Sequence, residues 1–184
     1  YYLVSGKAPV RQGNSHPTIV PYQSFATKDG HMILAVGNDG QFARFCKAAG
    51  MPGLAEDERF RTNPSRVAHR DVLVPIVAGI IAGKTTDEWV AVLETANVPG
   101  GPINTIDRVF ADAQVRARGA EMALKAKDGT LMPSVANPIR YSKTGLEYDR
   151  APPLLGQDTD DVLREVLGLD ADDLSLIHKS KALG

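Results

Sequence analysis

The sequence predicts an α/β fold whose identifiable part is a small α+β domain made of an antiparallel hairpin and helices. Three observations predict it. Two short apolar runs flank Lys28-Asp29-Gly30, and Asp-Gly between strand-like runs signals a hairpin because its favoured turn needs positive φ at both central positions. Phe42, Phe45, Cys46 and Ala49 fall at i, i+3, i+4 and i+7, a single apolar helical stripe. Thr85-Thr86-Asp87-Glu88 has the spacing of a capping box ahead of Trp89, Val92, Leu93 and Ala96, the apolar face of another helix.

The remaining elements follow in order. Residues 1–22 carry Pro9, Pro17, Pro21, Gly6 and Gly13 with little hydrophobic period, and read as the tail of one element followed by an extended connector. The opening Tyr1-Tyr2-Leu3-Val4 has no initiator methionine, basic segment or cap, as if the chain were entered in mid-element. Strands are expected over residues 22–27 and 31–36. Asn38 or Asp39 then supplies the N-cap oxygen of the first helix, and Gly50 ends it. Asn63 as the cap and Pro64 at the first helical position should open a helix that runs to Gly83, bent or broken midway by Pro75. Val98-Pro99-Gly100-Gly101-Pro102 reads as a rigid turn into a short strand at Ile103, with a short helix to Phe110 and one more turn over residues 114–117. Asp128-Gly129 marks a second hairpin between residues 121–127 and 130–132, and a strand is expected over residues 139–142. A proline-containing arm leads to a helix from Asp160 to Leu167, capped by Asp158 or Thr159 and closed by Gly168. A last helix starts after Asp170 or Asp172 and runs toward His178.

Composition narrows the function. The chain has 184 residues, of which 43% are hydrophobic and 23% charged, ordinary values for a globular protein. The net charge of −1 comes from interspersed acids and bases, so neither a nucleic acid nor an anionic membrane is an expected partner. The single cysteine, Cys46, excludes an internal disulfide and favours a reducing, cytoplasmic setting. The longest apolar run, from Val72 to Ala82, is interrupted by Pro75 and Gly79 and falls short of the roughly 20 residues that span a bilayer. No transmembrane helix or signal peptide is expected.

Candidate chemistry is sparse. His31, His69 and His178 have no partner at metal-ligand spacing and read as surface residues, so no metal is expected. His16 differs, because it sits in Gly13-Asn14-Ser15-His16-Pro17, where a glycine permits close backbone approach to a ligand and a proline stiffens the exit. Gly37-Asn38-Asp39-Gly40 offers backbone amides at a helix start, which suits either an anion or a plain strand-to-helix turn capped by its own side chains. Gly100-Gly101 lacks the lysine and hydroxyl residue of a phosphate-binding loop. The carboxylates fall in turns, caps and charged helix faces, without the desolvation or perturbing neighbour a nucleophile or base requires.

Taken together, Gly13, Asn14, His16 and Pro17, then Tyr22, then Gly37, Asn38, Asp39, Gln41 and Phe42, with Gly101-Pro102-Ile103 and Pro152-Pro153-Leu154-Leu155-Gly156-Gln157-Asp158-Thr159, resemble the C-terminal part of class III acyl-CoA transferases. This is the formyl-CoA and carnitine CoA-transferase, or CaiB/BaiF-like, family. The resemblance implies a parent with a Rossmann-like large domain built from both chain ends, a small domain between them, and two subunits interlocked as a dimer. Residues 1–17 would link from a missing N-terminal large domain, residues 18–105 would form the small domain, and residues 106–184 would return to complete the large one. Apolar surface should then be uncovered near residues 1–15 and 119–184.

The resemblance implies transfer of CoA from an acyl-CoA thioester to a small carboxylic acid through an aspartyl-CoA intermediate, with no permanently bound cofactor. The nucleophilic aspartate lies in the missing part, so this chain carries no catalytic residue and is expected to be inactive alone. Gly13, Asn14, His16, Tyr22, Gly37, Asn38, Asp39 and Gln41 would lie near the substrate, with residues 13–16 where the family's glycine-containing loop shields the intermediates. Two departures stand out: Gly-Asn-Ser-His replaces a run of glycines found in some members, and Asp158 stands where histidine is usual. Residues 101–104 and 150–157 look most like those of dicarboxylate-transferring members. A racemase of α-methylacyl-CoA thioesters and a non-catalytic assembly module are the competing readings.

Overall fold

The computed structural model describes residues 2–180 and Ala182. In it, a one-turn helix, α1 (Tyr2–Ser5), and a connector precede the first strand, β1 (Tyr22–Ala26). β1 pairs antiparallel with β2 (His31–Ala35) in the register Tyr22↔Ala35 to Ala26↔His31. The hairpin forms as expected, but its turn does not. Neither Asp29 nor Gly30 has positive φ, because the loop is four residues long, Thr27 to Gly30, and loops of that length are usually built on turns without this requirement. Thr27 N donates to Gly30 O at 2.9 Å, and the Asp29 carboxylate accepts from Thr86 N at 2.8 Å and Thr86 Oγ1 at 3.0 Å. The turn is thereby fastened to the start of a distant helix.

That helix is the fifth to follow β2. In order come α2 (Asp39–Ala48), α3 (Gly53–Glu56), α4 (Asn63–Ala68), α5 (Arg70–Ile81) and α6 (Thr86–Thr95). The helix expected from Asn63 to Gly83 is therefore two, and the break is at His69 (φ −111°, ψ 27°) rather than at Pro75. Pro75 stays inside α5 on its exposed side, where water can satisfy the carbonyl it leaves free. Leu73, Val77 and Ile81 form the buried stripe of α5. The capping box of α6 is present, with the Thr85 side chain accepting from Glu88 N and the Glu88 carboxylate accepting from Thr85 N.

The third strand, β3 (Gly100–Pro102), pairs antiparallel with β2 and gives the order β1-β2-β3. It begins earlier than the strand expected at Ile103, and residues expected to turn are paired instead. Two further bonds, Ala35 N to Pro99 O and Ile103 N to His31 O, both 2.9 Å, extend the ladder at each end. Glycine makes this pairing possible: a Cβ at Gly100 would lie 2.6 Å from Leu93 Cδ1 and 2.9 Å from Ile33 O. The inner face of the sheet, Phe25, Met32 and Leu34, packs with Phe42, Phe45 and Cys46 of α2, the α5 stripe, and Trp89 and Leu93 of α6. Trp89 donates its indole N–H to Ile81 O at 2.7 Å, so the largest core side chain leaves no polar atom stranded. Burial pushes the Cys46 thiol up to about 11, consistent with a packing residue.

The described residues separate into two compact units, the first ending at Thr105 and the second beginning at Ile106. The second contains α7 (Ile106–Ala111), α8 (Ala113–Ala117), the hairpin β4 (Glu121–Lys125) with β5 (Leu131–Val135), α9 (Thr159–Leu167) and α10 (Ala171–Lys179). Here the Asp-Gly turn does use a positive φ, at Gly129 (90°). Residues 139–142 form no strand; Arg140 instead donates to Arg118 O at 2.7 Å, and the sheet of this unit has two strands only. Asp158 caps α9 by position but makes no side-chain cap bond, since its carboxylate takes Lys127 Nζ at 2.6 Å. Asp170 closes a second capping box at α10. Leu174 is the one fully buried hydrophobic side chain among the described residues of this unit, while Leu131, Val135, Leu155, Val166 and Leu167 are exposed. No helix among the described residues is long and apolar enough to cross a membrane.

Two outcomes are expected. Gly100→Ala should destabilise the first unit by about 2 kcal/mol, because the new methyl has both a backbone oxygen and a core leucine in its way, read as a lower urea midpoint at unchanged slope. Hydrogen bonds, foremost those from the backbone N–H of Thr86 and of Thr85, hold Asp29 and Glu88 below their ordinary values of 3.8 and 4.5. Their contribution is present above those ordinary values and lost as pH falls through the lowered folded-state ones. Asp29→Asn should therefore lower the melting temperature at pH 7 and flatten its decline on acidification. An unchanged decline would show that the bond carries no linkage.

Candidate functional site

Residues 13–18 form a loop laid along the free edge of β1. Gly13 takes a left-handed conformation (φ 60°), and Ser15 N closes a tight turn onto Gln12 O at 3.1 Å. Asn14 then pairs with Ser24 through both ends of its amide. Nδ2 donates to Ser24 Oγ at 2.6 Å, and Oδ1 accepts the edge amide Ser24 N at 3.2 Å. Ser15 Oγ donates to Gln23 Oε1 at 2.9 Å. His16 N donates to Tyr22 O at 2.9 Å, and the two rings stack with centroids 5.3 Å apart and planes 17° from parallel. Thr18 N donates to His16 Nδ1 at 3.2 Å, which fixes the ring's orientation over Tyr22. The four predicted residues Gly13, Asn14, His16 and Tyr22 are thus brought together.

The turn from β2 into α2 holds the other four. Asn38 is the N-cap in extended geometry (φ −155°, ψ 171°), its Oδ1 accepting from Gln41 N at 2.9 Å. Gln41 Oε1 reaches back to accept from Gly37 N at 2.6 Å. The amides of Gly37 and Gln41 are therefore satisfied internally, which favours the capped turn over an anion site at these two groups. Asp39 leaves the cap free and points its Oδ1 at Arg66 Nη2, 2.8 Å away.

Arg66 is the neighbour of these candidate residues that sequence reasoning missed. It is fully buried, while Asp39 is about half exposed. Besides Asp39 it donates through Nε to Val20 O at 2.6 Å and through Nη1 to Phe60 O at 2.9 Å, with its guanidinium 4.5 Å over the Phe42 ring. The same residue thus ties the connector that follows the His16 loop to the turn that starts α2. Val36 N to Pro21 O at 3.0 Å is a second tie. Asn63 and Arg70 also grip the connector; Arg70 went unread, and Asn63 was expected as a helix cap, whereas Thr62 is the N-cap, its side chain accepting from Ser65 N, and Asn63 is the first helical residue. Charged and amide side chains on a helix ordinarily indicate a solvated face, and the only local signal was their i, i+3, i+7 spacing.

The chemistry on offer is orientation and hydrogen bonding. Hydrogen bonds hold Asp29, Asp57, Glu88, Asp128 and Asp158 below the ordinary carboxylate range, foremost those from Thr86, Arg59, Thr85, Thr130 and Lys127; Asp57 falls to about 2. Such groups stay ionised and are poor proton donors at neutral pH. Among the described residues no group of His, Cys, Asp and Glu stands where it could hold a metal ion.

The profile of CoA-transferase family III matches residues 1–159, and the chain belongs to that family. It is 47% identical over 165 residues to the succinate–glutarate CoA-transferase of Agrobacterium fabrum, covering 90% of this chain and 41% of that protein. It is 40% identical over 169 residues to the mouse succinyl-CoA:glutarate CoA-transferase, covering 92% of this chain and 39% of that one. A CaiB/BaiF family protein of known crystal structure from Brucella suis superposes with a TM-score of 0.74 at 41% identity, over 89% of this chain and 42% of that one. The chain thus spans about two fifths of the length of these relatives.

Arg66→Met should destabilise the first unit by about 2 kcal/mol or more, because it strands the buried carbonyls of Val20 and Phe60. Chemical denaturation checks the loss, and amide exchange at Val36 and Phe42 should rise with it.

Proposed function

We propose that this chain is the C-terminal part of a cytoplasmic transferase that moves CoA between small dicarboxylic acids of the succinate and glutarate kind. The observation that carries the reading is the 47% identity to a succinate–glutarate CoA-transferase across nine tenths of the chain. The relatives reported above are transferases, which favours this over a racemase of the same family. In the proposed parent, residues 1–17 lead out of a Rossmann-like large domain, residues 18–105 are the small domain, residues 106–184 return to the large one, and two subunits interlock. The exposed Leu155, Val166 and Leu167 of the second unit and, separately, the exposed Leu3 and Val4 of the first support partner surfaces of this kind.

The chemistry proposed for the parent is covalent. An aspartate carboxylate from the part preceding this chain attacks the thioester carbonyl and expels CoA thiolate, giving a mixed anhydride. The thiolate attacks the aspartyl carbonyl of that anhydride, releasing the donor acid and leaving an aspartyl-CoA thioester. The acceptor carboxylate repeats the two steps in reverse order, regenerating the aspartate and forming the new acyl-CoA. Anhydride and thioester are both hydrolysed by water, so cover over the site matters. The loop of Gly13, Asn14 and His16, with Tyr22 beneath it, supplies that cover in our reading, and Gly37, Asn38, Asp39 and Gln41 form the adjoining wall.

The test is thioester chromatography with succinyl-CoA as donor and glutarate as acceptor. This chain alone should give no glutaryl-CoA, and the complete polypeptide that contains it should give a ping-pong transfer. Turnover by the chain alone would overturn the placement of the nucleophile. No transfer by the complete polypeptide would overturn the activity.

A further inference from the structure

Residues 16–20 are held less by a strand ladder than by side chains of one helical face. Asn63, Arg66 and Arg70, at i, i+3 and i+7 across the His69 break, collect the carbonyls of the connector. Asn63 Nδ2 donates to Thr18 O at 2.8 Å while its Oδ1 accepts from Val20 N at 3.2 Å, and Arg66 takes Val20 O. Arg70 is the member that reaches the loop itself: its Nη2 donates to His16 O at 2.8 Å and to Pro17 O at 3.0 Å. One nitrogen thus draws two successive carbonyls together, which fixes the His16–Pro17 and Pro17–Thr18 peptides on the C-terminal side of His16. The residue held there makes the His16 N to Tyr22 O bond and seats its imidazole on Tyr22.

We infer that Arg70 is a positioning residue that clamps the His16 loop against β1 and so holds the cover over the reacting thioester. The clamp stands on the geometry alone, and its catalytic consequence rests on the CoA-transferase reading. Arg70 differs from its two neighbours in burial. Arg66 is sealed in the core and ties Asp39 as well, so its loss disturbs the fold, whereas Arg70 is half-buried at the first residue of α5 and serves the loop. Since both bonds come from the terminal Nη2, an ammonium at the same reach can replace them, and the planar fork of arginine is not required.

The test uses two substitutions and two readouts. In Arg70→Met, amide exchange at His16 and Ser24 should speed up by roughly tenfold or more, and the His16 ring protons should lose the shift imposed by the Tyr22 ring, while Met32 to Leu34 in the sheet stay protected. Arg70→Lys should restore both. Unchanged exchange at His16 and Ser24 in Arg70→Met overturns the clamp, and so does an equal loss of protection at Met32 to Leu34, which would make Arg70 a fold residue. In the complete polypeptide, Arg70→Met should lower kcat for transfer from succinyl-CoA by roughly tenfold or more, with KM little changed and a larger share of free CoA released by hydrolysis. Normal transfer without extra hydrolysis overturns the catalytic role. Absence of transfer in the unsubstituted complete polypeptide would instead sink the CoA-transferase reading, and the exchange result would still decide the clamp.

Discussion

A guanidinium taken wholly out of water must have its polar directions answered by the protein, and this requirement at Arg66 organises much of the first unit. Its donors reach Val20 O, Phe60 O and Asp39 Oδ1, so three chain segments that share no strand or helix are fixed relative to one another. Two of these acceptors are carbonyls, and the carboxylate is half exposed. The charge is thus only partly balanced by its ionic partner, and the dipoles around it do the rest. Stacking on Phe42 adds a face-on contact that ties the cation to the hydrophobic stripe of α2. The connector can be irregular because its backbone groups have these fixed partners.

The two units are built on different balances. The first buries aromatic and aliphatic side chains from a sheet and three helices in one continuous core. The second has a two-stranded sheet and helices whose apolar residues stay mostly in solvent. A lone hairpin with so little buried surface is marginal by itself in water. Its capping box at Asp170 and the Lys127 bridge to Asp158 and Asp161 are surface interactions of small individual weight.

What could be read from the sequence was what is decided locally. The Phe42 stripe, the Thr85–Glu88 box, the Asn38 cap and the stop at Gly50 depend on residues within one or two turns, and each was legible. The helix break expected near Pro75 lies at His69 instead, because a proline on the exposed side of a helix can stay inside it where water satisfies the carbonyl it leaves free, and the sequence does not state that orientation. The strand at Gly100 and the absence of one over residues 139–142 turn on whether a distant edge is available to pair. At the site, the residues of the two loops could be named, but not what holds them. An arginine in a helix looks the same in sequence whether it faces water, as Arg164 does, or the core, as Arg66 does.

The Asn14–Ser24 pairing also bears on how this sheet meets other chains. A row of unpaired amides and carbonyls on an outer strand is a template for intermolecular strand addition, the first step of many aggregates. At β1 that row is interrupted: Ser24 N and Tyr22 O are both occupied, one by a side-chain amide and the other by the His16 backbone. At the opposite margin Pro102 has no N–H to give. The same loop that lies over the candidate site thus serves as a guard against edge-to-edge self-association, so a variant that frees it would be expected to lose solubility along with order.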